Sequence, residues 1–140
     1  MSLNLTTAQA ILTATLAHAR SANFKPLSVV ILDARGAVIA AASEDGTSLR
    51  RYEIAHGKAT GAVAFDVGSR TLGKMAADRP HFIAAASHAV GALIPVAGGV
   101  LIKDKDGAVA GAVGVSGDAS DNDEAAAVAG IESAGFTAEG

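Results

Sequence analysis

The stretch from Pro95 to Asp118 constrains the fold more than any other part of the chain. Gly98-Gly99 leads into the apolar run Val100-Leu101-Ile102, and Asp104-Lys105-Asp106-Gly107 then supplies a turn. A second run, Gly111-Ala112-Val113-Gly114-Val115, is closed by Ser116-Gly117-Asp118. β-branched residues at this density predict two strands, and Asp-Gly tolerates the positive φ of a tight hairpin. Glycines inside the second strand weaken it through entropy and lost packing, so something must approach the backbone closely there. Helices packed tightly on the sheet are the simplest candidate; a neighbouring subunit or a ligand are the others.

An earlier segment repeats the pattern. Leu27–Leu32 and Ala37–Ala42 are apolar runs around Asp33-Ala34-Arg35-Gly36, a second hairpin. Asp33-x-x-Gly36-Ala37-Val38 matches Asp104-x-x-Gly107-Ala108-Val109. One match indicates recurring hairpin chemistry, not a repeat architecture.

The remaining chain reads as helices. Thr6-Thr7-Ala8-Gln9 has a capping-box pattern, and a helix is predicted from there to about Ala22, with Ala8, Ile11, Leu12, Leu16 and Ala19 at helical spacing. A long helix is predicted from Thr47 or Ser48 to about Phe65. Its main stripe is Leu49, Tyr52, Ala55, His56, Ala59 and Val63, with Ile54, Gly57, Gly61 and Phe65 on another face. A helix apolar on two faces has contacts on two sides, the second being a helix of this chain or another subunit. A short helix to about Ala77 follows, and Pro80 begins another that ends at Gly91. Asp121-Asn122-Asp123-Glu124 places acids at the favourable end of a last helix, which runs to about Ala134. The tail from Phe136 is predicted to be loosely held. The sum is α+β: an antiparallel sheet of about five strands, including a short one ahead of the glycine-rich hairpin, covered by helices.

At 140 residues the chain is one domain by size, and half of it is hydrophobic. Much of that half is alanine, which predicts a shallow, close-packed core. Without cysteine, disulfides and thiolate metal sites are excluded. The N-terminus has no signal-peptide pattern and no stretch reaches the length of a membrane span, which predicts a cytoplasmic protein. A net charge of −3 argues against nucleic acid as a partner. Arg50, Arg51, Lys58, Arg70, Lys74 and Arg79 gather in the middle third, either as a solvated face or as the wall of an anion pocket.

Gly98-Gly99-Val100-Leu101-Ile102, then Gly111 to Gly117, then Asp121 opening an Ala-rich helix, resembles the GlcG-like family of small haem-associated proteins. This haem-degrading, HbpS-like family also supplies the C-terminal domain of PduO-type cobalamin adenosyltransferases. Lys58-Ala59-Thr60-Gly61-Ala62 is similar to the family's Lys-Ala-x-x-Ala helix, so the likeness spans nearly the whole chain. Leu101 departs from it, since relatives most often place proline after the Gly-Gly pair. The resemblance implies a profilin-like arrangement and a haem- or tetrapyrrole-binding accessory protein. It also implies axial ligation by a histidine of the N-terminal helix, for which His18 is the match. The family's Glu-x-x-Glu iron site is absent from the long helix, where Glu53 is followed at that spacing by His56.

Four histidines are the residues able to titrate near neutral pH or to bind iron through imidazole. His81 and His88 fall on the polar side of their helix, about 10 Å apart, too far to chelate one ion easily. His56 lies within an apolar stripe, either as a hydrogen-bonded core residue or as a pocket-lining ligand that Glu53 would orient. His18 sits at the edge of its stripe, where it can reach a groove. With no tryptophan, one tyrosine and four phenylalanines, the chain is short of the large apolar side chains a haem pocket normally needs, and the composition speaks against haem. No nucleophile elbow, dinucleotide fingerprint or P-loop is present. The alternative to haem is a small organic acid held by backbone N–H groups at Gly98, Gly99 and Gly117, assisted by Arg51 or Arg79. The two-faced long helix predicts self-association as a dimer, a dimer of dimers or a higher assembly, with Gly57 and Gly61 letting two such helices approach.

Overall fold

The computed structural model describes residues 2–140. Helix α1, Leu5–Ser21, is followed by the hairpin β1, Ser28–Asp33, and β2, Val38–Ser43. Three helices come next: α2, Arg51–Phe65; α3, Ser69–Asp78; and α4, Pro80–Val90. A second hairpin, β3, Gly99–Lys103, and β4, Val109–Ser116, leads to α5, Ser120–Ser133, and a last strand β5, Thr137–Glu139. The five strands form one antiparallel sheet in the order β2-β1-β4-β3-β5.

Both hairpin turns are built alike, as their shared sequence implies. Asp33 Oδ1 accepts from the N–H of Arg35 and Ala37, and Asp104 Oδ1 accepts from the N–H of Asp106 and Ala108. Gly36 and Gly107 then take φ of 87° and 82°. Each aspartate replaces a backbone partner with its own side chain, which pins the strand register.

The inner strands β1, β4 and β3 are buried on both faces, so β1 reads as an unbroken apolar run rather than an alternating one. On one face α1 and α5 cover Val29, Ile31, Val100, Ile102, Val113 and Val115, all fully buried. On the other, Ala55, Ala59 and Ala62 of α2 press onto Val30, Leu32, Leu101 and Ala112. Gly114 answers the question of the glycine-rich strand: a Cβ there would collide with the Ala55 carbonyl oxygen of α2. The close approach is made by a helix of the same chain.

Several expectations are corrected. α1 is capped by Asn4, whose side chain accepts from Thr7 N at 2.9 Å, and not by a Thr6 or Thr7 box. α2 begins at Arg51, leaving Leu49 outside the helix and 84% exposed. Its sheet-facing line is Ala55-Ala59-Ala62, because alanines let the axis come closer than Tyr52 and His56 would. The tail is held: Phe136 is buried, β5 pairs with β3, and Lys103 Nζ meets Glu139 Oε1 at 2.7 Å. It supplies the fifth strand that was expected ahead of Gly98. Finally, Gly57 and Gly61 face Ile94, Leu72 and Leu93 of this chain, and Phe65 meets Phe82, so the second face of α2 is closed from within.

Candidate functional site

The end of α1 presents His18. Asn23 adopts φ 62°, a conformation asparagine tolerates better than most residues, and turns the chain back so that Phe24 N–H donates to Ala19 O at 2.9 Å. The Phe24 ring thereby meets the His18 imidazole edge-on, with centroids 5.8 Å apart and planes at 67°. His18 is half-buried, and its ring nitrogens make no hydrogen bond among the described residues. Arg20 Nη2 donates to the carbonyls of Phe24 and Lys25, and its Nε lies 2.9 Å from Glu44 Oε2. Asp118 Oδ2 accepts from Lys25 N at 2.7 Å, tying the same return segment to the start of α5. An open cavity of about 420 Å³ next to it is lined by Arg20, Pro26, Ser43, Glu44 and Asp45. Its walls mix charged and polar side chains with apolar surface such as Pro26.

His56 lies on α2, on the opposite face of the sheet, so it shares no ligand with His18 within one subunit. It is half-buried, with the Tyr52 ring 6.0 Å away and Thr60 Oγ1 at 3.4 Å from Nδ1. Glu53 does not orient it; that carboxylate pairs with Arg50 at 2.8 Å. His81 and His88 are exposed on α4, as expected.

Gly98 and Gly99 border a polar centre filled by this chain. Lys58 Nζ donates to Val115 O at 2.9 Å and to Asp123 Oδ2 at 3.1 Å, and both side chains are closed to solvent. Asp123 Oδ1 accepts from Asp118 N at 3.0 Å. Burial pushes the Lys58 amine down, against the attraction of Asp123. It pushes the Asp123 carboxyl up, against the hydrogen bond from Asp118 N and the charge of Lys58. Ser69 Oγ donates to Val96 O and accepts from Gly99 N, both at 2.6 Å. The Gly99 N–H is therefore not free to hold a ligand carboxylate, which corrects that part of the small-acid reading.

The basic residues do not converge either. Arg51 Nη1 donates to Ser116 Oγ at 3.2 Å, beside Gly117, at the start of α2. Arg79 stacks over Phe82 at 4.8 Å, and Phe82 meets Phe65 at the far end of that helix, about 21 Å along it. Arg70 pairs with Asp121 and Glu124 of α5. Lys58 is buried, not part of a solvated face. Sequence reasoning missed Asp123 as its partner, taking the acids of 121–124 as helix-end charges alone. The available signal was a lysine one residue from Ala59 in the sheet-facing stripe, since a lysine buried there requires a carboxylate.

Residues 3–132 match the family model described as haem degrading protein HbpS-like. The chain belongs to the HbpS-like family. Among solved structures it is similar to HbpS, at 27% identity and a TM-score of 0.83 over 95% of this chain and 90% of that one. A Streptomyces reticuli HbpS with two Glu-to-Asp substitutions matches at the same identity and score, over 95% and 87%. A PduOC:heme complex matches over the full length of both chains with a TM-score of 0.87 and 23% identity, a likeness of fold. No curated protein matches the sequence significantly. Among the described residues, no helix is long and apolar enough to cross a membrane.

Proposed function

We propose that this chain is a cytoplasmic, haem- or tetrapyrrole-binding accessory protein whose iron ligand is His18. The observation that carries the reading is the state of that imidazole in a chain of a haem-related family. It is half-buried, packed edge-on against Phe24, and neither ring nitrogen is hydrogen-bonded among the described residues. His56 is engaged with Thr60, and His81 and His88 stand in solvent without an apolar neighbourhood of this kind. Histidine ligation is ordinary haem chemistry; His18 would hold the group through its imidazole, and the group would supply an iron centre. The residues present fit a ligand at the surface rather than an enclosed one, because α1 and α5 fill that face of the sheet with packed side chains. Phe24 restrains the ring of His18, and the contacts from Arg20 and Asp118 hold the segment that carries Phe24.

Haem titration with absorbance detection tests this. The parent protein and His81→Ala should show a saturable Soret shift, and His18→Ala should not. A parent protein without a saturable shift removes the reading.

The second reading, a small organic acid, keeps one supporting contact, Arg51 with Ser116 beside Gly117. Arg79 drops out of it by distance. A carboxylate that raises the melting temperature of the parent but not of Arg51→Ala would favour it over haem.

A further inference from the structure

We infer, taking His18 as the iron ligand, that the turn between β4 and α5 positions it, with Asp118 as the positioning residue and the buried Lys58–Asp123 pair as its anchor. The connection from α1 to β1, residues 22–27, belongs to no helix or strand, and such connections ordinarily turn their backbone polar groups to water. Here charged side chains take them instead. Arg20 Nη2 donates to the carbonyls of Phe24 at 2.8 Å and Lys25 at 3.0 Å, and Glu44 Oε1 accepts from Leu27 N at 2.8 Å. Asp118 Oδ2 accepts from Lys25 N at 2.7 Å, across 93 residues of chain.

Arg20 and Glu44 pair with each other, so their grips form one unit, and Asp118 supplies the other. The main chain of its turn is close as well: Gly117 takes φ 153°, and a Cβ there would collide with the Pro26 carbonyl oxygen. Asp118 is itself fixed. Its Oδ1 accepts from Ala119 N at 2.7 Å and from Asn122 Nδ2 at 2.8 Å, and its N–H donates to Asp123 Oδ1 at 3.0 Å. Asp123 is closed to solvent, and its other oxygen meets Lys58 Nζ. Three hydrogen bonds thus run from α2, past the end of the sheet, to Lys25.

Lys25 follows Phe24, whose ring meets the His18 imidazole edge-on. A carboxylate that accepts from a backbone N–H makes a shorter and stronger bond than a neutral acceptor does. Holding Lys25 in this way fixes the peptide next to Phe24, and with it the ring that restrains His18. A segment ordered before the ligand arrives has less freedom to lose on binding. Without the grip from α5, the connection would rest on the reversal at Asn23 and on Arg20 with Glu44, and Phe24 could swing with the Lys25 peptide. Asp118 acts through Lys25 and Phe24, which makes it a positioning residue.

Asp118→Asn is the variant that tests this. The amide oxygen can keep Ala119 N and Asn122 Nδ2, while the amide nitrogen faces Lys25 N, donor against donor. Solution NMR of the full chain without haem should show Lys25 amide exchange about tenfold faster than in the parent, with a weakened Overhauser contact between the His18 and Phe24 rings. Haem titration, at a temperature where circular dichroism matches the parent, should give a dissociation constant raised severalfold. Lys58→Met with Asp123→Leu removes the anchor and should move the same three readouts in the same direction; it keeps the test open should the Asp118 variant not fold. Parent-like Lys25 exchange and ring contact in a folded variant overturn the proposal, and so does a loosened turn with unchanged haem affinity. A parent protein without a saturable Soret shift removes His18 as the ligand instead, and the haem-free readouts still decide whether Asp118 holds the turn.

Discussion

Lys58 Nζ stands 3.1 Å from Asp123 Oδ2, joining α2 on one face of the sheet to α5 on the other through a contact sealed from solvent. The pair passes the end of β4, where Lys58 also reaches Val115 O, so three elements depend on one amine.

Removing one member leaves the other's polar group buried without its partner. Asp123→Ala should therefore cost about 3–5 kcal/mol of folding stability, measured by urea unfolding at neutral pH. Lys58→Met combined with Asp123→Leu should be less damaging than the sum of the single changes, because it removes both charges together. A fully additive double variant would show that the two groups are not coupled.

Asp118 gives the acid limb of stability. Hydrogen bonds from Lys25 N, Asn122 Nδ2 and Ala119 N hold its carboxyl down at about 2, against an ordinary value of 3.8. The unfolded chain binds the proton first as pH falls, so stability rises with pH across this window. The contribution is whole above about 4 and is lost between there and about 2. Asp118→Asn should flatten the melting-temperature profile over that interval and leave its shape above pH 5 unchanged. A parent-like slope in the variant would assign the acid limb to other carboxylates.

Much of this was readable from residue order. The two Asp-x-x-Gly turns are local devices, complete within five residues, and β1, β3 and β4 alternate between two buried faces in the way their Val and Ile positions imply. What the sequence hid is non-local. Ala55 and Tyr52 both lie in the apolar stripe of α2, and only the closeness of Gly114 decides that the alanine side faces the sheet. Gly57 and Gly61 signalled a close neighbour without saying whose; Ile94, Leu72 and Leu93 return from up to 37 residues later to fill the space. The tail looked loose because it is short and small, yet β3 offered it an open edge. At the candidate site, the helical wheel puts His18 at the edge of its stripe, whereas its contact with Phe24 depends on the reversal at Asn23.

The Phe24 contact should matter to the histidine more than to the fold. An edge-on aromatic pair contributes about 0.5–1.5 kcal/mol beyond its area, so Phe24→Leu should weaken haem binding roughly two- to tenfold while keeping apolar bulk. The His18-dependent Soret band should persist. Loss of the band in Phe24→Leu would mean that the ring itself belongs to the ligand-binding surface; unchanged affinity would mean that His18 orients without it.

The substitution Gly61→Leu separates two accounts of the glycines in α2. If they were contacts for another subunit, a bulky side chain would dissociate the assembly and leave the monomer folded. In the structure a Cβ at Gly61 meets Leu72 Cδ1 at 2.6 Å and Leu93 Cβ at 3.3 Å, both in this chain. Leu72 is fully buried between α2 and α3 and has little room to yield. Overpacking of this kind costs about 1–3 kcal/mol, and most of that should come from detaching α3 and the 91–95 segment from α2. The expected outcome is a lower unfolding midpoint with an unchanged sedimentation coefficient at low temperature. Hydrogen exchange should rise in 69–95 and stay low in β1 and β4, whose contacts with Ala55 and Ala59 lie on a different side of the helix.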